Sequence, residues 1–400
     1  MTEAIPDYSY AHSTTCPFDP GPQLTAAAPV DRVRIWDGST PWLVTGYAEA
    51  RQALSDPRLS SDDTLPGYPH QTAASRGGVR RTPTLTTLDN PGHDARRRLL
   101  TRSFMVRRME ALRPGIQLIV DGLINDMVSR GGTADLVRDF ALPVPSLVIC
   151  ELLGVPYEDH EFFQDRSRLL VSVTTDAAER ASALADLSGY LDALVRRKAQ
   201  APADDLLSRL ITDHVPSGTL TLDEVSDMGR FLLFAGHETT ANMIALGTLA
   251  LLHNPAQLAA VRDSGDPDLV ADAVEELLRY LTIVHVGRRR VAVEDLELGG
   301  RRIAAGEGVI IALNAANRDA GAFEGDPDGL DVTRPARHHV AFGYGIHQCL
   351  GQPLARVELQ VVYGTLYRRL PGLRLAVPFE EVAFKDDMFV YGVHSLPVTW

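Results

Sequence analysis

The sequence predicts a mainly α-helical protein with a small β region, organised as a single domain over residues 1–400. Three observations carry this. Helix-type spacing of apolar residues runs from His93 to about His253, with stops near Pro114, Gly131, Pro143, Pro156 and Pro202. Short strand-like runs gather near residues 32–45 and 290–313. No internal repeat and no linker-like stretch separates these parts.

In chain order, Arg32–Trp36 and Trp42–Thr45 read as strands, and Asp37-Gly38 between them is a hairpin signal. Residues 61–87, from Ser61 to Thr87, are rich in Gly, Pro, Thr and Ser and read as a long mobile loop. Loops of that length inside a compact domain are usually functional. The helical stretch from His93 follows, and then an amphipathic helix from Leu269 to Tyr280. Arg290–Val293 and Gly308–Leu313 read as strands. A final helix is expected to start near Cys349 and to end at Pro371-Gly372.

Composition narrows the function classes. Hydrophobic residues make up 45% and charged residues 23% of the chain, so 400 residues can bury a core with room for a bulky ligand. The net charge of -13 argues against nucleic acid, which needs a basic field. It leaves room for a local basic patch facing an acidic partner. Arginine supplies nearly all the positive charge, since only Lys198 and Lys385 are lysines. Cys16, Cys150 and Cys349 are far apart and odd in number, so no disulfide framework is implied. The start MTEAIPDYSY has no basic stretch leading into an apolar core, and no signal peptide is read there. The most apolar run, Phe231–Leu252, is interrupted by His237, Glu238, two threonines and Asn242, a group that a lipid-spanning helix rarely carries. No membrane association is expected, and a cytoplasmic monomer fits best.

Three segments carry chemistry. The first is Phe342-Gly343-Tyr344-Gly345-Ile346-His347-Gln348-Cys349-Leu350-Gly351, running into Gln352-Pro353-Leu354-Ala355-Arg356. A cysteine at a helix N-terminus meets free backbone N–H groups and the positive end of the dipole, which favour the thiolate. Glycines at 343, 345 and 351 let the backbone pass close to a flat ligand, and Phe342 is placed to shield the sulfur. Taken alone, a buried structural cysteine beside a Gly-rich turn is the plainer account. A zinc site is disfavoured, because no second cysteine or close histidine pair accompanies Cys349.

The second segment is Ala235-Gly236-His237-Glu238-Thr239-Thr240, inside the apolar run. A buried acid is costly unless satisfied. Small residues leave space against the helix, and threonine can bond back to it and bend it. The residues fit a groove holding a hydroxyl and a carboxyl, and equally a helix kink with a satisfied polar cluster. The third is Glu276-Leu277-Leu278-Arg279, which sets acid and base on one helix face. By spacing alone it is a surface salt bridge, contributing ~0–1 kcal/mol.

Together these segments resemble the cytochrome P-450 superfamily. The match includes its haem-binding signature around Cys349, its oxygen-activation motif at Ala235–Thr239 and its Glu-x-x-Arg pair. Further likeness lies in Pro41–Tyr47, Ser55–Ser60 and Asn317-Arg318-Asp319. It is nearest to soluble bacterial members that hydroxylate macrolides, secosteroids such as vitamin D, and drugs. The resemblance implies the family's helix-rich fold and a haem b cofactor, iron protoporphyrin IX, with Cys349 as the iron ligand. Phe342, Gly343 and Gly351 belong to the same haem-binding loop. Glu238 is implied as the acid and Thr239 as the alcohol that deliver protons on the oxygen side. Glu276 and Arg279 are implied to meet Arg334 as scaffold. Haem brings two carboxylates, and His93, Arg97, Arg290 and His347 match family contacts to them. Arg288 and Arg289 compete with Arg290 for that assignment.

The resemblance implies a monooxygenase: one oxygen atom of O2 enters a bulky, mostly apolar small molecule and the other leaves as water. Electrons come from NAD(P)H through a reductase and an iron–sulfur ferredoxin, both separate proteins, because no flavin or ferredoxin motif is present. A peroxide-driven peroxygenase is the alternative, disfavoured by the intact Glu238–Thr239 pair. A haem sensor or carrier finds no appended signalling or DNA-binding segment. Arg96, Arg98, Arg102, Arg107, Arg108 and Arg113 fall where the family docks ferredoxin. The 61–87 loop falls where family members close over the substrate. Leu281–Val286 and Phe389–Tyr391 match pocket-lining stretches, mostly apolar with His285 the exception. Arg76, Arg80 and Arg81 are candidates for a polar end of the ligand.

Overall fold

Prolines open the helices where the sequence places them. Pro114 stands in the first turn of Arg113–Ser129, Pro143 begins Pro143–Leu153, and Pro267 begins Pro267–Leu281. Each needs no backbone N–H there, and its fixed φ suits a first turn. Pro143–Leu153 stops at Gly154, which takes the left-handed conformation that ends helices. The computed structural model describes every residue except 1–4, 9–12, 14–15, 26, 78–83, 172–175 and 387.

The chain falls into two compact units, each assembled from separated stretches. The first comprises Met1–Arg98, His253–Gln352 and Phe384–Gly392. It holds a five-stranded sheet in the order Val30–Arg32, Trp42–Val44, Gly308–Ile311, Arg288–Ala292, Leu59–Ser60. The hairpin is confirmed: Val30 pairs with Val44 and Arg32 with Trp42, and Gly38 takes a positive φ in the turn. Alternation sorts the strands onto two faces. Val44, Val309 and Ile311 join one buried cluster, with Leu54 and Val340. Leu43 and Ile310 join the other, with Val33 and Ile35. Tyr344 of the cysteine loop packs on the first cluster, which seats that loop against this sheet.

The second unit comprises Leu99–Leu252, Pro353–Ala383 and Val393–Trp400. It is mostly helical, with a three-stranded sheet of Thr133–Asp135, Pro397–Thr399 and Arg374–Leu375. The long helix Leu222–His253 lies almost wholly in it. That helix's second half is packed by Gln352–Arg369: the Tyr363 hydroxyl donates to Met243 O at 2.5 Å, and Tyr367 bonds Thr248 at 3.3 Å. No single helix among the described residues is long and apolar enough to cross a membrane.

Several boundaries differ from the expectation. The strand expected at Arg32–Trp36 is Val30–Arg32, and the one expected at Arg290–Val293 is Arg288–Ala292. Leu313 opens a short helix, Leu313–Ala316, instead of ending a strand. The 61–87 stretch carries one helical turn, Ala73–Gly77. The final helix starts at Gln352, three residues after Cys349.

Candidate active site

Cys349 precedes its helix, and this places two helix-start amides on the sulfur. The N–H groups of Gly351 and Gln352 bond to it. Its own N–H is given to the carbonyl of Phe342 at 2.8 Å. Gly343 and Gly345 both take φ of +72°, which side chains rarely adopt. A Cβ on Gly345 would also stand 2.7 Å from Leu54 O, so the loop cannot approach the helix Tyr47–Ser55 with another residue there. Gly351 has its α-carbon face toward the sulfur, where a Cβ would come within 3.9 Å of Sγ. The expectation of a lowered thiol pKa is corrected. Burial pushes the Cys349 thiol up, and it outweighs the two amides and the nearby Arg288 and Arg97, which pull the other way. A coordinated metal reverses that balance, because a metal-bound thiol loses its proton.

The cations expected around a haem converge in this same unit. His93 is fully buried, and neither ring nitrogen makes a hydrogen bond. Its ring centroid lies 4.3 Å from that of His347. Burial, and then Arg97, depress the His93 pKa. His347 is lowered to about 4 by burial, then by Arg290 and His93. Leu85 O can only accept, so His347 Nδ1 donates to it at 3.1 Å and Nε2 accepts from the Ser61 hydroxyl at 2.9 Å. To donate to an anion, His347 must exchange one of these partners. Arg290 is buried and pushed down to about 10. Arg97 is lowered by burial, with Cys349 and Asp94 acting against it.

Sequence reasoning left Arg288 competing with Arg290 and Arg289. Strand alternation is the signal that finds it, because Arg288 and Arg290 share one face of Arg288–Ala292. Burial also lowers its pKa, with the nearby Cys349 and Tyr68 acting against this.

The scaffold triad assembles as anticipated. Arg279 and Glu276 have no exposed side-chain surface, and two bonds of 2.7 and 2.8 Å join them. Arg334 Nε reaches the same carboxylate at 3.3 Å. Arg279 also donates to the carbonyls of Asn317, Pro327 and Gly329, and Arg334 to those of Glu324 and Asp326. The pair is therefore a buried clamp on the segment before the cysteine loop, and not a surface bridge.

Glu238 and Thr239 lie in the second unit, midway along Leu222–His253. The Thr239 hydroxyl donates to Ala235 O at 2.7 Å, the back-bond anticipated for a threonine in a helix. His237 and Thr240 beside them are buried. A second acid escaped notice, Glu358 on Gln352–Arg369. It is 3% exposed, its Oε2 has no hydrogen-bond partner, and burial raises its pKa to about 8. His285, read as the polar exception of a pocket wall, is buried, with Nε2 3.3 Å from Met388 O and its ring beside Tyr391. Arg80 and Arg81 lie outside the described residues.

A sequence profile described as Cytochrome P-450 matches residues 164–372, more than half of the chain. The chain belongs to the cytochrome P-450 family. It is 55% identical to cytochrome P-450-SU2 of Streptomyces griseolus, over 96% of this chain and 94% of the relative. It is 46% identical to the vitamin D3 dihydroxylase of the same organism, over 98% and 97%. The crystal structure of GfsF superposes with a TM-score of 0.94 at 51% identity, covering 99% of this chain and 100% of that one. The fold is that of the cytochromes P-450, and the chain is a monooxygenase of that family. Its cofactor is haem b, which the family holds through a cysteine thiolate. The residues present fit it. Cys349 has two amides aimed at its sulfur, and buried His93 and Arg290 offer donors suited to carboxylates.

Proposed function

We propose that Cys349 ligates the haem iron and that His93, Arg97, Arg290 and His347 bind the propionates. The amide pair on the Cys349 sulfur carries this reading. Arg288 joins them as a candidate, since it shares the strand face of Arg290. Bound haem supplies the oxygen chemistry, in which an electron-rich thiolate favours O–O cleavage. The overall change takes O2, two electrons and two protons, and yields one oxygenated substrate and one water.

The chain's own residues handle the protons. Thr239 and Glu238 are the pair we assign, by their match to the family motif. The Thr239 hydroxyl now gives its proton to Ala235 O. It must rotate off that carbonyl, or share the proton, to serve the reaction. The whole chain, 1–400, is read as one haem domain. Electrons arrive from NAD(P)H through a reductase and a ferredoxin. Arg102, Arg107 and Arg108 are exposed and placed to steer an acidic protein, whereas Arg98 is paired with Asp94 and Arg113 with Glu110. Reduction by ferredoxin should slow as salt rises; salt-independent reduction removes the arginine assignment.

The substrate is read as a bulky, mostly apolar small molecule with one polar end, and a relative named for vitamin D3 supports that size. Leu281, Ile283, Val284 and Val286 supply apolar surface, and binding should rest on buried area at ~25 cal/mol per Å². The test is a titration of purified protein with graded compounds, following the haem spectrum and then the product mass with the ferredoxin chain. Tight spectral binding of large apolar ligands and a product heavier by one oxygen atom are expected. Preference for small compact terpenes defeats the size argument.

A further inference from the structure

Glu275 stands beside the scaffold glutamate on Pro267–Leu281, and its side chain is 1% exposed. Its Oε2 lies 3.2 Å from Nε2 of His339, whose side chain is 1% exposed. The other ring nitrogen, Nδ1, accepts the backbone N–H of Ala341 at 3.1 Å. A nitrogen that accepts cannot hold the proton. The ring proton therefore sits on Nε2, facing the Glu275 carboxylate. The amide sets the tautomer, and the carboxylate lies 3.2 Å from the protonated nitrogen as a charge contact without hydrogen-bond geometry.

The next residue along, Phe342, is the first of the cysteine loop. Its ring centroid is 5.7 Å from that of His339. Its carbonyl accepts the N–H of Cys349 at 2.8 Å. A chain of contacts thus runs from a helix carboxylate, through the His339 ring, to the Ala341 amide, to Phe342 and to the backbone of Cys349. The segment is tied on its other side as well, where Val340 N–H is donated to Asn317 Oδ1 at 2.8 Å. Partners of this kind orient a metal ligand, and their loss typically costs about 10–100-fold in affinity or activity.

We infer that His339, oriented by Glu275, is a positioning residue for the thiolate: it fixes Phe342, and through it the place and solvent shielding of Cys349. The inference rests on Cys349 being the iron ligand. Without His339, Phe342 is free to shift and water can reach the sulfur. The thiolate then donates less to iron, and the iron is easier to reduce.

The test uses the haem-loaded protein and four variants. His339→Phe keeps an aromatic ring and loses both polar contacts. His339→Asn keeps an acceptor for Ala341 N–H. Glu275→Gln keeps the shape and a polar group and loses the charge, and Asn317→Ala loosens the neighbouring tie as a packing control. Two quantities are measured: the reduction potential, and the rate at which the red-shifted Soret band of the reduced CO form converts to the blue-shifted form. His339→Phe should convert about tenfold faster and have a more positive potential. His339→Asn should recover most of the wild-type rate, and Glu275→Gln should fall between. Asn317→Ala should lower the melting temperature without moving the potential. Wild-type potential and conversion rate in His339→Phe and Glu275→Gln overturn the inference and leave His339 as core filling. If His339→Phe does not fold, an unchanged Glu275→Gln overturns it alone. A wild-type protein lacking the red-shifted band defeats the cysteine assignment instead.

Discussion

Cys349 is held by backbone, whereas Thr239 is held by a single rotamer. Around the sulfur, two amides, one carbonyl and two left-handed glycines fix the geometry before any side chain is considered. On the long helix, the hydroxyl rests on the carbonyl one turn back, a bond that one χ1 rotation breaks. A metal ligand must stay in one place, and backbone supplies that at no cost in side-chain freedom. A group that passes protons must move, so a replaceable bond suits it.

The comparison breaks first at the sulfur. Cys349→Ala and Cys349→His should both abolish the red-shifted Soret band of the reduced CO form. A variant that keeps the band ends the assignment. Next in size is the clamp that carries the loop. Arg279→Ala leaves Glu276 buried with Arg334 Nε at 3.3 Å and the Asp331 N–H at 3.0 Å. Losing one partner of a buried pair costs about 3–5 kcal/mol. Denaturant unfolding should show that loss, together with poor haem retention. A loss below about 1 kcal/mol would place the pair with ordinary surface bridges.

The helix side should respond more mildly. Thr239→Ala removes both the back-bond and the hydroxyl proposed as proton carrier. Substrate binding, read from the haem spectrum, should persist, while product per NAD(P)H falls about tenfold or more and hydrogen peroxide rises. Thr239→Ser keeps the hydroxyl and should keep most of the coupling. Unchanged coupling in Thr239→Ala would show that the hydroxyl is only a helix brace.

These two regions were also legible to different degrees. The cysteine loop was readable because glycine and cysteine spacing encodes backbone conformation directly, down to Gly343 and Gly345. The Glu276–Arg279 spacing was readable, but its burial was not, since burial comes from carbonyls at Asn317, Pro327 and Gly329 that no local pattern announces. His339 and Glu275 were missed for the same reason: their meeting is tertiary. Strands such as Arg374–Leu375 and Thr133–Asp135 escaped because two or three residues cannot display a period. The helix Tyr47–Ser55 was passed over, since the stretch between Thr45 and Ser61 received no secondary-structure reading. The thiol pKa was misjudged because a helix start is local and visible, whereas burial is not.

Glu358 sharpens the contrast between held and unheld groups, with the smallest effect of the set. It has no bond to Oε2, and burial raises its pKa from 4.5 to about 8. The protein therefore carries it as a neutral acid at ordinary pH. Below the unfolded value both states hold the proton, and the group costs little. Between that value and about 8 the unfolded chain gives up its proton while the folded chain keeps it, so stability falls as pH rises. Above about 8 the folded acid must ionise in an apolar setting, and the whole contribution is gone. Glu358→Gln has the same shape and no ionisable proton. Its melting temperature should match the wild type at about pH 5 and exceed it by a few degrees at about pH 9. The haem spectrum should be the same in both, which separates this effect from haem loss. A gap that stays constant with pH would mean that Glu358 is paired and ionised in the folded protein. The second unit would then hold its acid as firmly as the first holds its sulfur.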